Sequence, residues 1–205
     1  MDATYAGIIG EDGGLGLIGE TLTVDFSYDA SIAPDSVFNS SRAGLFLNPV
    51  TSMDVTIGSQ SWTWSGGGSS INLTDDGLVV FVAGLEDRWN LGAYDFTGPD
   101  LTSEPAGNYA LEMFFYDNVP TDAPDALDDY LALPTAAPDP ALFTSVFDTV
   151  MQFSFFTGDG ESGNYYNILA ENPYQVTFVI PEPGMLSLCL AGISLIGVLA
   201  RRRRC

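Results

Sequence analysis

Histidine and lysine are missing from all 205 residues, and the two cysteines, Cys189 and Cys205, both lie close to the C-terminus. Residues 1–180 therefore cannot build a Ser-His-Asp or Cys-His nucleophile, a Ser-Lys pair, a Schiff base or a zinc site of His and Cys. They hold no thiol or disulfide either, so cysteine leaves the redox compartment unmarked. Cations are scarce: Arg42 and Arg88 stand alone before Arg201 against 26 acidic residues, a net of −24 over residues 1–180. A surface of that sign repels phosphate backbones and anionic headgroups, which argues against nucleic acid as a partner. Helical periodicity is almost absent as well, and long apolar runs are limited to one at the end of the chain.

What is present argues for a folded chain. With 46% hydrophobic and 12% aromatic residues, enough surface can be buried to offset the ordering entropy despite the acidity. The length suits one domain, residues 1–180, with a tail, residues 181–205. Along the domain the apolar pattern has period two, in runs of five to nine residues separated by Gly, Asp, Asn or Ser. "TLTVDFSY" places Leu22, Val24, Phe26 and Tyr28 on one face, and "MDVTIGSQSWTW" reads as a hairpin about Gly58-Ser59. Further strands are expected over 78–82, 91–96, 109–116, 150–156, 165–169 and 174–180. Nine or ten short strands predict an all-β domain, an antiparallel β-sandwich of jelly-roll type, with a barrel as the alternative. Pro120 to Pro140 reads as a long surface excursion and Gly66-Gly67-Gly68 as a flexible loop tip.

The exceptional run closes the chain: "VIPEPGMLSLCLAGISLIGVLARRRRC", residues 179–205. Gly184 to Ala200 carries no charge and as a helix spans ~25 Å, the short end of what a bilayer core demands. A core helix would need an equally apolar partner, and the sequence offers none. The cluster Arg201, Arg202, Arg203 and Arg204 stays cytoplasmic by the positive-inside rule, which puts residues 1–180 on the far side of the membrane. Pro181 and Pro183 donate no backbone hydrogen bond and hold their neighbours extended, so Pro181-Glu182-Pro183 would be a stiff, accessible peptide at the membrane surface.

In these residues the tail resembles the PEP-CTERM sorting signal of Gram-negative bacteria: a Pro-Glu-Pro motif, one transmembrane helix (184–200), then terminal arginines. Cys205 is a small departure. The resemblance implies recognition and cleavage near the motif by exosortase, a transpeptidase-like membrane enzyme of bacteria that make exopolysaccharide. It implies an inner-membrane stage with the domain on the periplasmic side, then release to the cell surface or extracellular matrix. Export also requires a signal peptide, which Met1 to Tyr5 do not provide, so a leader is expected upstream of Met1. Two rival signals fail: Leu133-Pro134-Thr135-Ala136-Ala137 lacks the Thr and Gly of a sortase site, and Cys205 is misplaced for prenylation. The segments "FSYDASIAPDS" and "MDVTIGSQSWTW" loosely resemble exported β-rich domains that carry such tails.

Two chemistries remain open to the domain, and both use carboxylates. Calcium takes six to eight oxygens, and the acidic turns around Asp75, Asp76, Asp159 and Glu161, with Glu11-Asp12-Gly13-Gly14, have that flavour without completing a motif. Ordinary hairpin turns explain the same Asp-Gly pairs. A glycoside hydrolase would need two facing carboxylates, which sequence cannot select. Trp62 and Trp64, two apart on one strand face, form a candidate sugar-stacking platform, with core filling as the competing explanation. The isolated Arg42 and Arg88 are expected to pair with carboxylates. The expected function is thus a non-enzymatic exported surface or matrix protein, with a carbohydrate-binding module as the alternative and exopolysaccharide as a candidate partner.

Overall fold

The computed structural model describes residues 1–38, 42–79, 84–117, 127, 130–143, 149–157 and 164–176, with residues 76–79 and 84–86 described in backbone only. Through these run eleven strands: β1 (Asp2–Glu11), β2 (Thr21–Tyr28), β3 (Ser36–Phe38), β4 (Ala43–Leu47), β5 (Val50–Ile57), β6 (Gln60–Trp64), β7 (Ser69–Val79), β8 (Gly84–Thr97), β9 (Ala106–Asp117), β10 (Val150–Thr157) and β11 (Tyr165–Gln175). Every pairing is antiparallel. No helix among the described residues is long and apolar enough to cross a membrane, and the expected span 184–200 lies outside them.

Local pattern decides the strands. In β2, Leu22, Val24, Phe26 and Tyr28 are buried while the residues between them face outward, as period two requires. The β5–β6 hairpin turns on Gly58-Ser59, with Ile57 opposite Gln60 and Gly58 at φ 57°, a conformation open to glycine without a Cβ clash. Pattern alone misses β3, β4 and most of β7, and it splits β11 in two.

Where the strand pattern predicts a sandwich, the structure has a barrel, and one corner makes the difference. On one edge of β8, β7 pairs up to Ser69 opposite Ala93; beyond it β6 takes over, with Thr63 opposite Thr97 and Trp64 opposite Phe96. The other edge of β8 is taken by β9. Hence β8, β6, β5, β2, β1, β11, β10 and β9 close into an eight-stranded barrel, with β7, β4 and β3 extending outside it. The switch of partner occurs at a bulge between Tyr94 and Phe96, where Asp95 adopts φ 69°. A bulge bends its strand, and here it turns the end of β8 away from β7 and toward β6.

The loop joining β6 to β7 is fastened to that bulge. Ser65 N donates to Asp95 O at 2.9 Å, Tyr94 N to Gly68 O at 3.0 Å and Trp64 Nε1 to Tyr94 O at 2.8 Å. A Cβ on Gly67 would sit 2.4 Å from Tyr94 O. The glycine stretch expected as a flexible tip is therefore a close backbone approach that closes the barrel.

Inside, aromatic side chains dominate. Tyr5, Phe26, Tyr28, Trp89 and Phe115 form one group, with Tyr5 edge-on to Phe115 at 5.2 Å and Trp89 stacked on Phe115 at 5.2 Å. Trp62, Phe96, Tyr109, Phe153 and Phe155 form another, in which Tyr109 stacks on Phe153 at 5.3 Å. Most apolar side chains of the barrel strands point in, with Ile8, Tyr94, Phe156, Tyr165 and Tyr174 among those that face out.

The stretch expected as a surface excursion is in part a plug. Leu127, Leu133 and Phe143 are buried with the core, and Phe143 contacts Phe115. Proline has no N–H to satisfy, so a proline-rich segment can be buried if its carbonyls find donors. Two come from inside the barrel: Tyr5 Oη donates to Pro138 O at 2.6 Å and Tyr28 Oη to Pro134 O at 2.5 Å.

Burial pushes the phenols of Tyr5 and Tyr28 well above the ordinary tyrosine value. An unfolded chain ionises them near pH 10 while the folded one keeps them neutral, so the unfolded state binds fewer protons and stability falls as pH rises above about 10. The expected slope reaches about 1.4 kcal/mol per pH unit for each phenol. The chain has no lysine to titrate there, and the Tyr109 phenol, also raised by burial, adds to the same loss. Urea unfolding at pH 9, 10 and 11 checks this, and Tyr5→Phe should flatten the alkaline loss.

Candidate functional site

The tail leaves the barrel from β11, whose last residue Gln175 lies opposite Tyr5 of β1. One residue on, Val176 N donates to Thr4 O at 2.8 Å and fastens the exit to the barrel wall. Residues 177–205 lie outside the described residues, and with them Pro181, Glu182, Pro183 and Arg201 to Arg204. Covalent geometry still sets a limit. Five residues from Val176, Pro181 can lie at most about 18 Å away, and Gly184 at most about 29 Å. Any enzyme acting at the Pro-Glu-Pro segment works within that distance of a folded barrel.

The wall at the exit is polar and acidic. A shallow groove of about 420 Å³ is lined by Asp2, Thr4, Asp25, Ser27, Asp54 and Gln175 among others. Asp25 lies directly opposite Asp54 across β2 and β5, a like-charge pairing that costs stability on a sheet. Hydroxyl donors offset it: Thr4 Oγ1 donates to Asp25 and Thr63 Oγ1 to Asp54 Oδ1 at 2.6 Å, while Ser27 Oγ donates to the neighbouring Asp2 Oδ1 at 2.5 Å.

Of the four candidate calcium ligands, Asp75 alone has a described side chain. Asp75 is buried and paired with Arg42, Nη2 to Oδ2 at 2.7 Å, as an isolated arginine is expected to do. The side chain of Asp76 and the whole of Asp159 and Glu161 lie outside the description. In the Glu11–Gly14 turn, the Asp12 carboxylate accepts from Gly14 N at 2.8 Å and Leu17 N at 2.5 Å. Those backbone donors hold its pKa below the ordinary aspartate value, and they make it the organiser of the β1–β2 loop. Among the described residues no three acidic side chains are grouped so as to hold a metal ion. Arg88 lies over the Tyr116 ring, 4.9 Å from its centroid.

The tryptophan platform needs correction. Trp62 is 0% exposed, packed on Phe153 and Tyr109, with Nε1 donating to Pro99 O at 3.0 Å. No sugar can reach its face in the folded barrel. Trp64, on the same strand face, is half-buried at the closing corner and spends its indole N–H on Tyr94 O.

Sequence reasoning missed a different set of aromatics, Tyr94, Phe156 and Tyr165, which are 45%, 53% and 50% exposed on the outside of the barrel. A signal for two of them exists in the sequence. The doublets Phe155-Phe156 and Tyr165-Tyr166 cannot place both rings inward on a strand of period two, so one of each pair must face out.

Compared with known proteins, residues 179–204 match the PEP-CTERM protein-sorting motif. That motif is a signal recognised by exosortase and supports exosortase-dependent sorting of an exported protein. No curated protein sequence and no solved structure matches the chain.

Proposed function

We propose, taking the sorting motif at residues 179–204 as premise, that this chain is a non-enzymatic surface or matrix protein: an acidic barrel delivered across the inner membrane, released by exosortase and contributing to extracellular polymeric material. The single observation that carries this reading is the motif match. The charge pattern supports it. Four arginines follow the apolar run, whereas the described part of the chain has Arg42 and Arg88 for cations. The fold suits life outside the cell, since a barrel closed by hydrogen bonds has no free edge in its ring to invite aggregation. The role asks for no cofactor and no catalytic group.

The absence of thiols from residues 1–180 supplies the test. Ser61, exposed on β6, is replaced by cysteine in the full chain, and Cys205 serves as the internal reference. A membrane-impermeant maleimide applied to spheroplasts of a strain lacking exosortase should label Ser61→Cys without lysis and Cys205 only after it. Labelling of Ser61→Cys solely after lysis would place the barrel in the cytoplasm and overturn the proposal.

A further inference from the structure

The outer face of β8, β9, β10 and β11 holds an open groove of about 530 Å³. Its floor is made of small side chains in register: Tyr94 of β8 lies opposite Ala110 of β9, which lies opposite Ser154 of β10. One row away, Gly92 lies opposite Glu112. Tyr94 rises on one side of this floor. On the other stand Phe156 and Tyr165, paired across β10 and β11 with ring centroids 4.8 Å apart. Two strand spacings separate the Tyr94 and Phe156 strands, about 10 Å. Gln152 Nε2 donates to Tyr165 Oη at 3.2 Å and helps fix that ring.

Single exposed apolar side chains are ordinary on a protein surface. Three half-exposed aromatic rings around a floor of Ala110 and Ser154 are not, because cross-strand pairing explains Phe156 against Tyr165 but not Tyr94 facing them across the floor. The chemistry of the lining narrows the occupant. A peptide strand cannot add to the sheet here, since β9 and β10 have both edges already paired. The one charged side chain in the lining is Glu112, within a domain carrying −24 over residues 1–180, so phosphates, uronates and nucleic acid are repelled. What fits is an uncharged ligand with flat C–H faces for the rings and many hydroxyls for Glu112, Asn108 and Ser154.

We propose that this groove binds a neutral glycan, with Tyr94 and the Phe156–Tyr165 pair stacked on sugar faces and Glu112 and Asn108 hydrogen-bonded to hydroxyls. The binding site is independent of how the chain is sorted, so its failure and the failure of the sorting proposal are separately visible.

The test is affinity electrophoresis of the full chain in a mild neutral detergent, through gels containing a neutral glucan, mannan or galactan, or the acidic polymer alginate. Retardation by at least one neutral polymer and none by alginate is expected. Tyr94→Ala and Phe156→Ala should each weaken the interaction about tenfold, roughly 1.4 kcal/mol, while Leu47→Ala, which trims an exposed apolar side chain outside the groove, leaves it unchanged. Circular dichroism should show both groove variants folded, since each replaces an exposed side chain. No retardation by any neutral polymer, retardation by alginate alone, or retardation that survives Tyr94→Ala and Phe156→Ala together would each overturn the proposal.

Discussion

Replacing Arg201, Arg202, Arg203 and Arg204 together with alanine, or Glu182 alone, should leave the chain almost entirely as unprocessed precursor in the inner membrane. The two substitutions reach that outcome by different physics. Each arginine costs about 2.5–3.5 kcal/mol to place at the bilayer centre, so on the proposed topology four of them would hold the C-terminus on the cytoplasmic side. Without them the 17 uncharged residues Gly184 to Ala200 have nothing to fix their direction or depth. Glu182 lies before the apolar run, and its loss would remove the one charged group between two prolines in the segment an exosortase would read. Cell fractionation followed by gel electrophoresis distinguishes precursor from the shorter product. Unchanged mature product after both substitutions would remove exosortase processing from the account.

The second large effect is expected at the corner that closes the barrel. A Cβ at Gly98 would lie 2.2 Å from Trp62 Cδ1 and 2.8 Å from Ser61 O. Neither neighbour can give way: Trp62 is sealed among Phe153, Tyr109 and Pro99, and Ser61 O belongs to a strand paired with β5. Gly98→Ala should therefore destabilise by about 3 kcal/mol or more through overpacking, which for a chain of this size lowers Tm by roughly 6–12 °C. Gly92→Ala is the matched control. Its Cβ would meet Ser70 Oγ and the Tyr94 hydroxyl at 3.6 Å, ordinary contact, so its effect should stay within about 0.5 kcal/mol. Thermal unfolding of the pair measures the difference, and equal stability would show that the corner is looser than its packing implies.

Several parts of this molecule were legible residue by residue. The alternation in "TLTVDFSY" predicts which four side chains of β2 are buried, and Gly58-Ser59 predicts the hairpin, because both depend on neighbours within a few positions. The isolated arginine at position 42 does find a carboxylate, Asp75. Other features depend on partners distant in the chain. Whether Trp62 faces in or out is set by which side of β6 meets Phe153, some ninety residues away. The burial of a proline-rich stretch depends on Tyr5 and Tyr28 reaching its carbonyls from strands more than a hundred residues earlier.

The sequence by itself determined the class and the address. Missing histidine and lysine remove whole families of chemistry, period-two alternation requires strands, and a Pro-Glu-Pro segment, an uncharged run and four arginines in that order form a sorting motif, since each is a property of composition or of adjacent residues. Tertiary structure alone decided that the strands close into a barrel and not two stacked sheets, because closure rests on one bulge at Asp95 and two residue pairs between β6 and β8. It also decided that the aromatic surface lies at Tyr94, Phe156 and Tyr165 and not at Trp62, since a side chain's exposure depends on what the folded chain places opposite it.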